Sequence, residues 1–80
     1  MYLHIGQNII LNKKNIIGIF DLDGLNVSKD TMNMLSYEEK KGNVINVTMD
    51  LPKSFIITKE NKIYISQISV QTLKKRSKYN

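Results

Sequence analysis

Ser54-Phe55-Ile56-Ile57-Thr58-Lys59-Glu60-Asn61-Lys62-Ile63-Tyr64-Ile65-Ser66 decides the fold. Two short runs rich in β-branched and aromatic residues flank the polar turn Lys59 to Lys62, a pattern that predicts a β-hairpin. Tyr64 is read as facing solvent on its strand, as a surface or interface aromatic. A helix is expected straight after the hairpin. Ser69 suits its N-cap, because a serine hydroxyl can accept from an otherwise unpartnered N–H of the first turn. Ile68 and Leu73 stand at the positions of a hydrophobic staple. Lys74, Lys75 and Arg76 close the helix where its dipole favours cations.

Before the hairpin, Leu51-Pro52-Lys53 breaks a strand expected over 44–49, with Ile45, Val47 and Met49 on one face. Further back, a helix is predicted from the cap Ser28 to the stop Gly42. Val27 and Met32 occupy its staple positions, Asp30 its first turn, and Lys40 and Lys41 its last. Its buried face is read as Met32 and Leu35, with Met34 and Tyr37 beside them. Ile16-Ile17-Gly18-Ile19-Phe20 is a continuous apolar run, read as a central strand covered on both faces. Tyr2 to Gly6 and Ile9 to Leu11 supply two more strands, with turns at Gly6-Gln7-Asn8 and Asn12-Lys13-Lys14-Asn15. The order β-β-β-α-β-β-β-α with short connections predicts one α+β domain over 1–80: a small, mostly antiparallel sheet with two helices.

Composition narrows what such a domain can do. An 80-residue chain buries only roughly 60% of its unfolded surface and is marginally stable alone. There is no cysteine and His4 is the only histidine, so disulfides and Cys/His metal clusters are not available to staple it. Self-association is the remaining common route to more buried surface. No basic leader precedes a long apolar run, and Ile16 to Phe20 falls far short of the ~20 residues that span a bilayer. A cytoplasmic protein with no membrane partner and no cofactor is expected. The net charge of +5 is uneven. Residues 1–50 hold five lysines against six acids, whereas residues 51–80 hold seven Lys/Arg against Glu60 alone. That asymmetry points one part of the molecule at a polyanion.

The sharpest enzymatic motif is Ile19-Phe20-Asp21-Leu22-Asp23-Gly24, an apolar strand ending in Asp-x-Asp-Gly. It resembles the first motif of the haloacid-dehalogenase phosphatases, in which the two acids act as nucleophile and general acid beside Mg²⁺. The rest of that family is missing. After Thr58 the only acid is Glu60, and the chain is too short for a doubly wound sheet. Asp and Gly at a strand end are better read as a turn. No enzyme is expected.

The basic residues carry the better reading. Lys13 and Lys14 lie in a tight turn, Lys53 and Ser54 lie where Pro52 interrupts a strand, and Lys74, Lys75 and Arg76 share a helix end. Lysines on turns reach phosphate oxygens, and a neighbouring Ser can add a hydrogen bond. A single arginine limits bidentate reading of guanine. Binding to double-stranded DNA would therefore rest on backbone charge and shape. One subunit offers few contacts, and an assembly would repeat them.

Nearly the whole chain resembles the Rem family of extracellular-matrix regulators, its RemB type more than its RemA type. The resemblance is carried by Tyr2-Leu3-His4-Ile5-Gly6, Ile16-Ile17-Gly18-Ile19-Phe20-Asp21, and Ser28 with Thr31. Further matches are Leu51-Pro52-Lys53-Ser54-Phe55-Ile56-Ile57-Thr58, Lys62-Ile63-Tyr64-Ile65-Ser66, Ile68-Ser69 and Thr72-Leu73-Lys74-Lys75-Arg76. It implies a bacterial transcription regulator of biofilm matrix genes, with a LytTR-like fold and a homo-oligomeric ring whose outer basic residues meet DNA. A paralogous regulator is a further candidate partner. The RemA type carries an arginine pair before the penultimate strand, and the match places Asp50 and Leu51 there, with Lys53 nearby. The alternative is a self-assembling or paralogue-binding protein that does not touch DNA.

Overall fold

The structure, a computed structural model, describes residues 2–22, 28–48 and 50–78. The elements follow the predicted order: β1 (Tyr2–Gly6), β2 (Ile9–Asn12), a short 3₁₀ turn (Lys13–Asn15), β3 (Ile16–Asp21), α1 (Lys29–Lys40), β4 (Val44–Asn46), β5 (Ser54–Thr58), β6 (Ile63–Ser66) and α2 (Val70–Lys78). Both helices start where a hydroxyl can cap them. Ser28 Oγ accepts from Thr31 N at 3.1 Å, and Ser69 Oγ accepts from Thr72 N at 3.2 Å. Behind the second cap, Leu73 is fully buried and Ile68 packs on the same cluster. The staple residue Val27 of the first helix lies outside the described residues.

The strands form a four-stranded sheet in the order β3-β5-β6-β4 and a separate two-stranded sheet of β1 and β2. Three pairings are antiparallel, but β4 runs parallel to β6. The loop after β4 explains the exception. Val47 N donates to Ile65 O and Lys53 N to Ser66 O, both at 2.8 Å. The chain thus rounds the Ser66 end of β6 and enters β5 on its other side. β4 is also shorter than predicted. Asn46 Oδ1 accepts from Thr48 N at 3.0 Å, a local turn that competes with the ladder. Met49 lies outside the described residues.

Two other expectations are corrected. β3 is not a central strand covered on both faces. It bonds to β5 on one side and forms the edge of the sheet, with Ile17 64% and Phe20 42% exposed. The reason is that β1 and β2 close on each other instead of extending the sheet. On α1, Leu35 is buried and Met34 half-buried, whereas Met32 and Tyr37 are exposed. α1 meets the sheet at β4, so only a narrow stripe of it is covered.

β5 organises both cores, since alternate strand residues point to opposite faces. Ile56 joins Leu3, Ile5, Val47 and Leu73 on one face, under α2 and the β1–β2 hairpin. Phe55 joins Leu35 and Ile63 on the other, under α1. Tyr64, expected at the surface, is half-buried and packs against the first cluster, because its register partner is Ile56.

Candidate nucleic-acid interface

Backbone hydrogen bonding fixes where the lysines stand. The 3₁₀ turn is capped by Asn12, whose Oδ1 accepts from Lys14 N at 3.0 Å, leaving the Lys14 side chain exposed. Lys13 turns back instead, and its ammonium donates to the carbonyl oxygen of Ser77 in the last turn of α2. That carbonyl is among the four that a helix cannot satisfy internally. Beside it, Arg76 Nη1 donates to His4 O at 3.2 Å, and the His4 ring Nε2 lies 2.5 Å from Gln7 O. On the other side of the turn, Lys59 N donates to Asn15 O at 2.8 Å, which sets the exposed Lys59 next to Lys14. Lys13, Lys14, Lys59 and Arg76 therefore gather at one end of the molecule, where β3 begins and α2 ends. Lys74 and Lys75 are exposed on the same helix.

Lys53 is elsewhere. Its carbonyl accepts from Leu22 N at 2.9 Å, and Ser54 pairs with Asp21, so it marks the far end of β3. Five strand steps separate Ile16 from Asp21, about 17 Å at the usual rise. The sequence-predicted cations form two groups, not one. Ser54 is corrected outright. It is fully buried and its hydroxyl donates to Ile68 O at 2.7 Å. That bond joins the start of β5 to the approach of α2 and leaves nothing for a phosphate. Lys59 reads in the sequence only as a turn residue. Its neighbour Asn15 lies 44 positions earlier, and only the β3–β5 register shows the contact.

The loop before β5 has a different character. Asp50 N donates to Thr48 Oγ1 at 2.9 Å, the Asp50 carboxylate accepts from Leu51 N at 2.8 Å, and Thr48 Oγ1 donates to Gln67 Oε1 at 2.7 Å. Leu51 is 79% exposed. An acid and a bare leucine thus occupy the place where the resemblance expects arginines.

Asp21, the first acid of the phosphatase-like motif, ends β3 and borders a hollow of about 330 Å³ with Ser69, Val70 and Gln71. Asp23 lies outside the described residues. Among the described residues no three acids or histidines stand close enough to hold a metal ion, and no helix is long and apolar enough to cross a membrane.

Ammonium groups on a turn and at a helix end match a row of phosphate oxygens better than base edges. The comparisons agree with the resemblance read from the sequence. A family profile described as "RemA-like: Extracellular matrix regulatory protein A-like" matches residues 2–76. The Extracellular matrix regulatory protein B of Bacillus subtilis (strain 168) is 35% identical over 79 residues, covering 99% of this chain and 93% of the relative. The chain belongs to the RemA-like family of extracellular matrix regulatory proteins.

Proposed function

We propose that this chain is a cytoplasmic, non-catalytic transcription regulator of biofilm matrix genes that binds double-stranded DNA as a homo-oligomeric ring. Lys13, Lys14 and Lys59 hold the phosphate backbone at one end of the subunit, with Lys74, Lys75 and Arg76 flanking them and Lys53 at the other end. The carrying observation is the gathering of four cations where β3 begins and α2 ends, from three separate stretches of sequence. Family membership supports the regulatory part of the reading, and the LytTR-like and ring features come with the same proposal.

Affinity is expected from counterion release, so it falls steeply with salt. A single subunit touches few phosphates, and repetition around an assembly raises avidity by ~10²–10⁴. The test is a gel shift across a salt series with Lys14→Glu, Lys59→Glu and Lys53→Glu, checked for unchanged particle mass. Loss of retention at moderate salt is the expected result, and retention equal to the parent chain rejects these residues.

One observation favours a second reading, a self-assembling or paralogue-binding protein without DNA contact. Asp50 and the exposed Leu51 stand where the RemA type has arginines, and they make that loop acidic and apolar. No DNA retention at low salt, with the assembly intact, selects it.

A further inference from the structure

Between the end of α1 and the β5–β6 turn lies a hollow of about 400 Å³. That volume is at the small end of the range in which proteins hold small molecules. Its floor is apolar. Ile57 and Ile63 are register partners across β5 and β6, and Met34 of α1 packs on the same cluster. Ile63 is buried, whereas Ile57 and Met34 are half-buried. Two of the three floor residues thus keep apolar surface that a ligand can cover. Its rim is charged. Glu38 and Lys41 follow Met34 at steps of four and three, which sets all three on one face of the helix and its cap.

Hydrogen bonds hold that rim in place without a ligand. Gly42, with φ +80°, turns the chain out of the helix. Asn43 then closes back on α1. Its backbone N donates to Glu38 O at 3.0 Å, and its Nδ2 donates to Glu38 Oε2 at 2.9 Å. Asn43 O accepts from Ile63 N at 2.9 Å, which fastens the rim to the floor. A carboxylate offers about four lone-pair sites, so Glu38 has acceptor capacity beyond Asn43. The Lys41 ammonium lies over the Tyr37 ring, 4.6 Å from its centre. A cation held on a ring face keeps N–H donors for an anion. From the β5–β6 turn, Asn61 adds a carboxamide to the rim.

We propose that this hollow binds a free amino acid with an aliphatic side chain, of leucine or isoleucine type. Glu38 takes the α-ammonium, Lys41 takes the α-carboxylate, and Met34, Ile57 and Ile63 take the side chain. Opposite charges side by side on one helix face fit two opposite charges on a single carbon. They also disfavour ligands with one charge. A fatty acid brings its carboxylate beside Glu38, and an alkylamine brings its ammonium beside Lys41. The site stands apart from the DNA-binding reading and does not depend on it.

Equilibrium dialysis of the full chain against radiolabelled L-leucine measures binding whatever the state of assembly. Saturable uptake at millimolar or lower concentration is expected. Isocaproate and isoamylamine, which each lack one of the two charges, should compete about ten-fold less well or worse. Glu38→Gln keeps an oxygen for Asn43 Nδ2, and Lys41→Gln changes an exposed position. Both variants should therefore keep the parent's circular-dichroism spectrum. Each should weaken leucine binding by about ten-fold or more, the loss of one charge-assisted hydrogen bond. No saturable uptake by the parent chain overturns the site. Equal competition by the two singly charged analogues also overturns it, as does leucine affinity unchanged in both folded variants.

Discussion

The hydroxyl of Ser66 donates to the carbonyl oxygen of Ile5 at 2.6 Å, across 61 positions of sequence, with both residues fully buried. The Ser66 hydroxyl oxygen in turn accepts from Ile68 N at 3.0 Å. One small side chain thus ties the N-terminal hairpin to the end of β6 and to the approach of α2. Ser66→Ala leaves two backbone groups short of a partner, at a cost of about 2–3 kcal/mol. In a domain of this size that lowers Tm by roughly 10 °C or more. Ser66→Thr tests the packing instead, since it keeps the hydroxyl. A Ser66→Ala protein that melts with the parent in calorimetry refutes the tie.

Gly6 and Gly42 both have positive φ, +135° and +80°, but differ in surroundings. A Cβ at Gly42 meets nothing within 4 Å, whereas at Gly6 it stands 3.2 Å from Val47 Cγ1 in the core. Gly42→Ala should cost about 1 kcal/mol, the backbone effect alone. Gly6→Ala should cost clearly more, because Val47 must move as well. Urea melts of the two variants give the ranking directly, and equal midpoints would contradict it.

Lys13 and Lys14 are adjacent but should fail differently. Lys13→Met removes the ammonium from Ser77 O and should speed amide exchange in the last turn of α2, together with any loss of DNA binding. Lys14→Met should leave exchange unchanged and weaken only binding. In a plot of log affinity against log salt, each lost phosphate contact reduces the slope by about 0.9. Identical exchange profiles for the two variants would remove the structural role given to Lys13.

Leu73 and Leu35 probe the two faces of the sheet. Leu73 is completely buried among Leu3, Ile5, Val47 and Ile56, and Leu35 closes the smaller cluster with Phe55 and Ile63. Leu→Ala at such sites costs about 2–5 kcal/mol, a large part of what a small domain has. Leu73→Ala should be the worse of the two, measured by denaturant midpoint, since its cluster is larger and joins both ends of the chain.

Local signals were legible and remote ones were not. Ser28 and Ser69 announced both helices, because a cap and its first turn are three residues apart. The hairpin around Lys59 to Lys62 was equally plain. The run Ile16 to Phe20 misled, since an apolar β-branched run records a preference for extended backbone and says nothing about which side is occupied. Ser54 misled because it follows the exposed Lys53, whereas it opens β5, a strand covered on both faces. The basic site was half legible: Lys13, Lys14 and Arg76 were named, but their meeting with Lys59 depends on the β3–β5 register, which pairs positions some forty residues apart.

The bonds from Lys13 to Ser77 and from Arg76 to His4 also set a schedule for synthesis. Residues 2–12 are synthesised well before residues 70–78, yet Leu3 and Ile5 are fully enclosed only once Leu73 joins Val47 and Ile56 over them. The nascent hairpin must wait, wet on part of one side, for α2 to be made. Chains that stall before residue 70 are therefore left with these strands open to chaperones and proteases.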